Sequence, residues 1–412
     1  MRMLVSFAAL FLSVILLQLS TGGVAPLDAI SGLTLDFTTA EIGFLGSAHF
    51  VGFFIGCWWA PRLMGSVGHS RAFAAFTATG AIGLLMHMMI IDPVAWAAMR
   101  VASGLCVAGC YTVIEAWLQA KVTNKTRGRT MGAYRVADMG ASLVAQLMIS
   151  VLEPAYYVSY NLLAIICCAS LLPLTLTTVR QPDTPAAPRL RPSLALRISP
   201  LATAGVVVAA LSSAGFRMVG PVYGQQVGLD IGQIAYFLAA FVLGGAVAQI
   251  PVGWLADKYD RRYVVIALSA AAMLSSIVTV LSDTTNSSVV MASAFFFGAT
   301  SFPIYSVAAA HANDFATSEQ RVELSAALMF FFASGAIIAP LMSSILIERY
   351  GPSALFVMIA VAHFLLIVFS LARMFFRPAP TDRTRYVWSP RTTFTVGNLT
   401  KTDREKEDQA GQ

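Results

Sequence analysis

Charge is what this sequence has least of. Only 12% of its 412 residues are Asp, Glu, Lys or Arg, while 57% are hydrophobic; a soluble domain carries about 25% charged residues. The mean hydropathy is +0.71, and so little charge leaves no polar shell for a water-soluble globule of this size. Cysteine is scarce too. Cys57, Cys106, Cys110, Cys167 and Cys168 all fall inside apolar blocks, and none has the spacing to histidine that a metal site needs. They are expected to pack as small buried thiols, with no metal and no cofactor. No GxxxxGK[ST] loop occurs, which argues against an ATP-driven pump in one chain. No nucleophile–base grouping points to an enzyme, so no catalytic residue is assigned.

What the chain has instead is long apolar runs broken by short polar segments. A bilayer core of about 30 Å takes roughly 20 apolar residues as a helix, and lipid leaves the backbone no partner but itself. Barrel strands are only about 10 residues and alternate, so these runs are expected to be helices. Spans fall at 4–22, 41–60, 71–91, 94–117, 130–152, 155–178, 200–222, 231–254, 263–282, 288–309, 321–346 and 353–375. The apolar run from Leu4 to Leu19 is longer than the usual signal-peptide core and reads as an uncleaved first helix.

The breaks alternate in charge. Even ones carry Arg62 and Arg71; Lys121, Lys125, Arg127 and Arg129; Arg180, Arg189, Arg191 and Arg197; Lys258, Arg261 and Arg262; and Arg321. Odd ones carry Asp28, Asp36, Asp92, Glu153, Asp230 and Asp283, with Arg349 the sole cation. By the positive-inside rule the even loops and both termini are cytoplasmic in an inner-membrane protein. The net charge of +6 is then a topology signal, not a nucleic-acid footprint.

Residues 179–199, rich in proline and arginine, read as a cytoplasmic linker between an N-terminal six-helix bundle (1–178) and a C-terminal one (200–376). The polar tail 377–412 reads as disordered; its Asn398-Leu399-Thr400 sequon, on the cytoplasmic side, gets no role. An offset of 192 aligns PRLMGSVGHSR with GWLADKYDRR, Glu41 with Gln233 and Arg129 with Arg321, indicating a duplicated six-helix unit. Thr38 with Glu41 and Thr317 with Gln320 have capping-box spacing, and Asp230 suits an N-cap. The expected fold class is an all-α membrane protein of 12 transmembrane helices in two pseudo-symmetric six-helix bundles.

Gly253, Leu255, Asp257, Lys258, Arg261 and Arg262 resemble the signature loop of the major facilitator superfamily, with Asp260 where glycine is usual. In the first copy Gly65 stands in place of the aspartate. Arg100 and Gly104 match that superfamily's Arg-x-x-x-Gly signature. VIEAWLQA before RGRTMGAY, and FPIYSVAAAHAND, resemble its YcaD-like branch. The resemblance covers about 375 residues and implies proton-coupled or facilitated transport by rocking of two halves. It implies no substrate. Asp257 would accept hydrogen bonds from a nearby helix N-terminus, with Arg321 as ion-pair partner, in a latch closing the cytoplasmic side.

Ionisable residues inside spans are costly and usually face a cavity or a partner. Here these include Arg100, Glu115, Arg135, Asp138 and Arg217. Arg135 and Asp138, spaced i, i+3, share a helix face, and Glu115 lies at similar depth. The three are expected to cluster in the cytoplasmic half of the first bundle. There Asp138 or Glu115 would take up a coupling proton, or the three would form a permanent structural network. Arg135, Arg100 and Arg217 are the candidate substrate contacts, and the excess of cations leans toward an anionic or zwitterionic solute. The expectation is a monomeric secondary active transporter whose partners are a small molecule, protons and the bilayer. A uniporter with structural charges, or a membrane-embedded sensor, is the alternative.

Overall fold

The computed structural model describes residues 2–122, 126–176, 188–282, 286–376, 383–389, 391–395 and 397. Arg180, Lys125, Asp283, the sequon and the last twelve residues of the expected tail lie outside them. Among the described residues all regular structure is helical. The first half holds α1 (Arg2–Thr34), α2 (Thr39–Val67), α3 (His69–Met86), α4 (Pro93–Lys121), α5 (Arg127–Met148), α6 (Tyr157–Ala169) and α7 (Leu171–Thr175). A short α8 (Pro192–Ile198) lies within the linker. The second half holds α9 (Pro200–Gln226), α10 (Ile231–Lys258), α11 (Arg261–Leu281), α12 (Ser287–Asn313), α13 (Arg321–Tyr350) and α14 (Ala354–Phe376). The expected sixth span is thus two helices, interrupted at Ser170.

Ten described helices, counting α6 with α7 as one, are long and apolar enough to cross a membrane. The short α3 and the charge-bearing α5 complete two sets of six. Helix starts follow local chemistry. Thr38 and Glu41 form a capping box at α2, and Asp230 and Gln233 form the same box at α10, 192 residues on. Ahead of α13 the Thr317 N–H donates to Gln320 Oε1 (3.3 Å) and the Gln320 N–H to the Thr317 carbonyl (3.1 Å).

The duplication extends to packing. A Cβ at Gly52 would run into the Val101 carbonyl, and one at Gly104 into the His49 carbonyl, so α2 and α4 cross backbone to backbone. Gly244 against Phe295 and Gly298 against Phe241 repeat the crossing between α10 and α12. Small residues permit such close approach in membranes.

The two halves meet at the face bearing the acidic loops. The Ala40 N–H reaches Glu348 (3.2 Å), the Leu341 N–H reaches Ser47 (3.3 Å), and Gln226 reaches Thr39 (3.4 Å). A Cβ at Gly43 would stand 2.6 Å from the Pro340 carbonyl oxygen. Toward the basic loops a cavity lies between the halves.

Two expectations are corrected. Asp28 is not in a loop: α1 runs to Thr34, and Asp28 is buried at 2% exposure. The polar tail is not wholly without structure either. Residues 383–389 and 391–395 are threaded between the halves from the basic side, because Tyr386, Trp388 and Phe394 supply apolar anchors amid its polar residues.

Candidate functional site

The central cavity encloses about 190 Å³ and draws its lining from both halves and from the threaded tail segment. Its charged walls are Arg100, Arg135 and Arg217 from the helices and Arg391 from the tail, against the single carboxylate of Asp138. All three substrate-contact candidates therefore line one space. The i, i+3 spacing on α5 brings Arg135 Nη1 to 3.7 Å from Asp138 Oδ2. Tyr111, one turn before Glu115 on α4, places its hydroxyl against Asp138 Oδ1 and 2.9 Å from Gln18 Oε1. Arg135 is 5% exposed, yet its Nε and Nη2 have no hydrogen-bond partner. Its guanidinium lies 5.0 Å from the centre of the Tyr134 ring and 5.5 Å from that of Trp388.

The expected cluster forms only in part. Arg135 and Asp138 pair, but Glu115, 2% exposed and absent from the cavity wall, accepts the hydroxyls of Thr392 and Thr393 (2.7 Å for Thr393) and lies 3.5 Å from the Tyr134 hydroxyl. Arg100 belongs to a second cluster nearer the acidic face. Its Nε is 3.5 Å from Asp28, and so is His87 Nε2, while His87 Nδ1 lies 2.7 Å from the Gly83 carbonyl. Arg100 Nη1 has no hydrogen-bond partner. A buried ion pair needs good geometry to offset its desolvation, and Asp28 faces both Arg100 and His87.

The signature loop is built around a different residue from the one expected. Arg261, 1% exposed, lies 2.6 Å from Asp314 Oδ1 and 3.6 Å from Asp257, and donates to the Ala310 carbonyl (2.9 Å) and the Thr384 hydroxyl (3.0 Å). Asp257 accepts the Tyr386 N–H at 2.6 Å, so the tail supplies the amide expected from a helix N-terminus. Gly253 packs under the Tyr386 ring, where a Cβ would stand 2.9 Å from it. Asp260 caps α11 and pairs with Arg262 at 2.7 Å. Lys258 lies over the Trp254 ring at 4.7 Å. Arg321 opens α13 and lines a small pocket with Thr384.

Asp28, His87, Tyr111 and Arg391 were not singled out as site residues from the sequence. Asp28 had been read as a loop residue, which hid it. Arg391 carried a usable signal: it sits in YVWSPRTTFTV, an aromatic and β-branched island too apolar for an ordinary solvated tail. Burial pulls its guanidinium down to about 10, and the nearby Arg217 and Arg135 act in the same direction.

Two helical bundles with a cavity between them are an architecture that membrane transporters use. The comparisons with known proteins agree. The family model of the Major Facilitator Superfamily matches residues 202–396. The chain is 26% identical over 369 residues to an uncharacterised MFS-type transporter of Enterobacter sp. (strain 638), covering 88% of this chain and 95% of that one. The same figures hold for the uncharacterised MFS-type transporter YcaD of Escherichia coli O7:K1. Among solved structures, a mutant of the nucleoside transporter NupG superposes with a TM-score of 0.74 at 15% identity, covering 88% of this chain and 98% of NupG. A bacterial homologue of the human lysosomal transporter Spinster, inward-facing and occupied, gives 0.72 at 14% identity, covering 93% and 98%. The chain is similar to transporters of the Major Facilitator Superfamily, those of the YcaD type among them.

Proposed function

We propose that this protein is a secondary active transporter that moves a small anionic or zwitterionic solute by alternating access, coupled to protons. The observation that carries this reading is the electrostatics of the cavity: the helices line it with three arginines against one carboxylate, and one of these, Arg135, has its buried Nε and Nη2 without a hydrogen-bond partner. An unsatisfied buried donor is costly, and a carboxylate or phosphate oxygen satisfies it in the planar, bidentate manner that arginine favours. The basic loops support a cytoplasmic orientation of the cavity mouth in an inner membrane, with 1–178 and 200–376 as the two rocking units of a monomer.

Asp138 is the candidate proton site in the cavity. The Tyr111 hydroxyl has one proton and two acceptors beside it, Gln18 Oε1 and Asp138 Oδ1. A proton on Asp138, or a flipped Gln18 amide, satisfies all three. Glu115 is the second candidate, held outside the cavity wall. If Asp138→Asn retains full proton-driven flux in proteoliposomes, the carboxylate is not the coupling site; a loss of at least tenfold is expected.

The deciding experiment is ligand-induced thermal stabilisation of the purified protein and of Arg135→Gln, across small anions, cations and neutral solutes. A ligand that binds only the folded state raises the melting temperature by mass action, worth about 2.7 kcal/mol at a hundred times its Kd. Anions that stabilise the wild type but not the variant support an anion carrier. Equal stabilisation of both proteins by cations or neutral solutes makes the arginines structural and the protein a carrier of another solute class.

A further inference from the structure

The tail segment of residues 383–389 and 391–395 lies between the two halves at the basic face and contacts both. On the second half, Thr384 gives its N–H (2.8 Å) and hydroxyl (2.9 Å) to Asp314. The Tyr386 N–H goes to Asp257 and its hydroxyl lies 3.2 Å from Gln249. Ser389 meets Ser306 (3.3 Å), and Arg391 reaches the Ser213 hydroxyl (3.2 Å) with its guanidinium over the rings of Phe302 and Phe332. On the first half, Thr392 and Thr393 bond Glu115, Trp388 faces Arg135, and Phe394 packs edge-on against Phe54 at 5.7 Å. The Thr392 carbonyl lies 3.9 Å from Cys57 Sγ, and Cys57 is 1% exposed.

We infer that this segment is an autoinhibitory plug: it occupies the solute cavity from the basic side and holds the transporter in the state open to that side. The inference rests on the alternating-access reading. The acidic face shows how closely the halves approach when shut, with the α2 backbone at Gly43 almost touching the Pro340 carbonyl. A polypeptide with side chains is about 10 Å across and cannot remain in a seam packed as densely as a protein interior. The basic face therefore closes only after the plug has left.

Two features make its docking specific and reversible. Glu115, a carboxylate inside the membrane region, takes two hydroxyls from the plug, so docking satisfies a group that is expensive to leave bare. Arg391, in contrast, enters a space already lined by Arg100, Arg135 and Arg217, and this like-charge crowding favours departure. A solute and Arg391 compete for the same volume.

The test uses the full chain and a variant, Thr392→Ala/Thr393→Ala, that removes both hydroxyls from Glu115 and keeps every helix intact. Alkylation of Cys57 by a membrane-impermeant maleimide is followed by peptide mass spectrometry, with Cys106, buried within the first bundle, as the control for unfolding. At least a tenfold faster reaction of Cys57 in the variant is expected, with Cys106 unchanged. Equal rates at Cys57 overturn the docking.

A second arm measures closure. Spin labels at Ser66→Cys, in the last turn of α2, and Thr317→Cys, ahead of α13, both exposed positions on the basic face of opposite halves, report the separation in a Cys57→Ser/Cys168→Ser background. The plugged chain is expected to give one long distance, and the Thr392→Ala/Thr393→Ala variant to gain a shorter population. Identical distributions overturn the inhibitory role even where Cys57 is shielded. Neither readout depends on which solute binds, so failure of the anion reading, seen in the Arg135→Gln melting shifts, is separate from failure of the plug.

Discussion

The two halves share a skeleton and differ in what fills it. In both, the second and fourth helices cross on paired glycines, Gly52 with Gly104 and Gly244 with Gly298, and the second helix starts with a capping box. The interior of the first half carries Asp28, His87, Arg100, Glu115, Arg135 and Asp138. The offset of 192 puts Gly220 opposite Asp28, and Ala327 and Phe330 opposite Arg135 and Asp138. In their stead the second half packs Phe216, Phe237, Phe241, Phe297 and Phe356 into one aromatic cluster with ring centres 4.1–6.2 Å apart. Geometry was kept after duplication while chemistry was concentrated on one side. A rocking carrier needs two equivalent rigid bodies, but a solute and a proton need their groups together at one place.

The largest expected effect breaks this contrast at Asp28. Asp28→Leu leaves Arg100 buried without its carboxylate and is expected to cost about 3–5 kcal/mol, read as thermal unfolding in detergent micelles. Gly220→Ala, at the equivalent position, meets only ordinary contacts at 3.5–3.7 Å and is expected to cost under about 1 kcal/mol. Recovery in Asp28→Leu/Arg100→Met would confirm that the pair, not the volume, is at stake; a small loss in Asp28→Leu alone would count against it.

Next come the crossings, where the halves should behave alike. Gly104→Val and Gly298→Val each push a side chain into a facing backbone and are expected to destabilise by about 1–3 kcal/mol or more, to similar extents. A large difference between them in the same assay would mean that the two crossings are not equivalent.

The smallest effect separates the loops. Asp257 is half exposed, at 49%, and its main hydrogen bond is to the plug, so Asp257→Asn is expected to cost at most about 1 kcal/mol. Its consequence should show instead as faster Cys57 alkylation. Unchanged alkylation would mean that the loop does not hold the plug.

Much of the skeleton was legible in the sequence. Apolar runs of about 20 residues have no other outlet than membrane helices, and three alignments at one offset revealed the duplication. The i, i+3 spacing of Arg135 and Asp138 predicted their pairing because a helix fixes which residues share a face. Asp28 was misread because hydropathy weakens as α1 passes Gln18, Ser20 and Thr21, although the helix continues to Thr34. The partners of Arg261 and Glu115 were illegible for another reason: Asp314, Thr384, Thr392 and Thr393 lie 53 to 278 residues away in the chain, and no local periodicity reports such contacts.

By itself, then, the sequence determined the class of solvent this chain needs, the order of its apolar spans and the repetition of one half in the other. These follow from transfer free energies and helical geometry, which act residue by residue and over short range. Only the tertiary structure decided which buried charges meet, that Arg100, Arg135 and Arg217 share one cavity, and that a polar tail returns to sit among them. Those outcomes depend on how separate helices pack, where the cost of an unpaired charge or hydroxyl selects partners from anywhere in the chain.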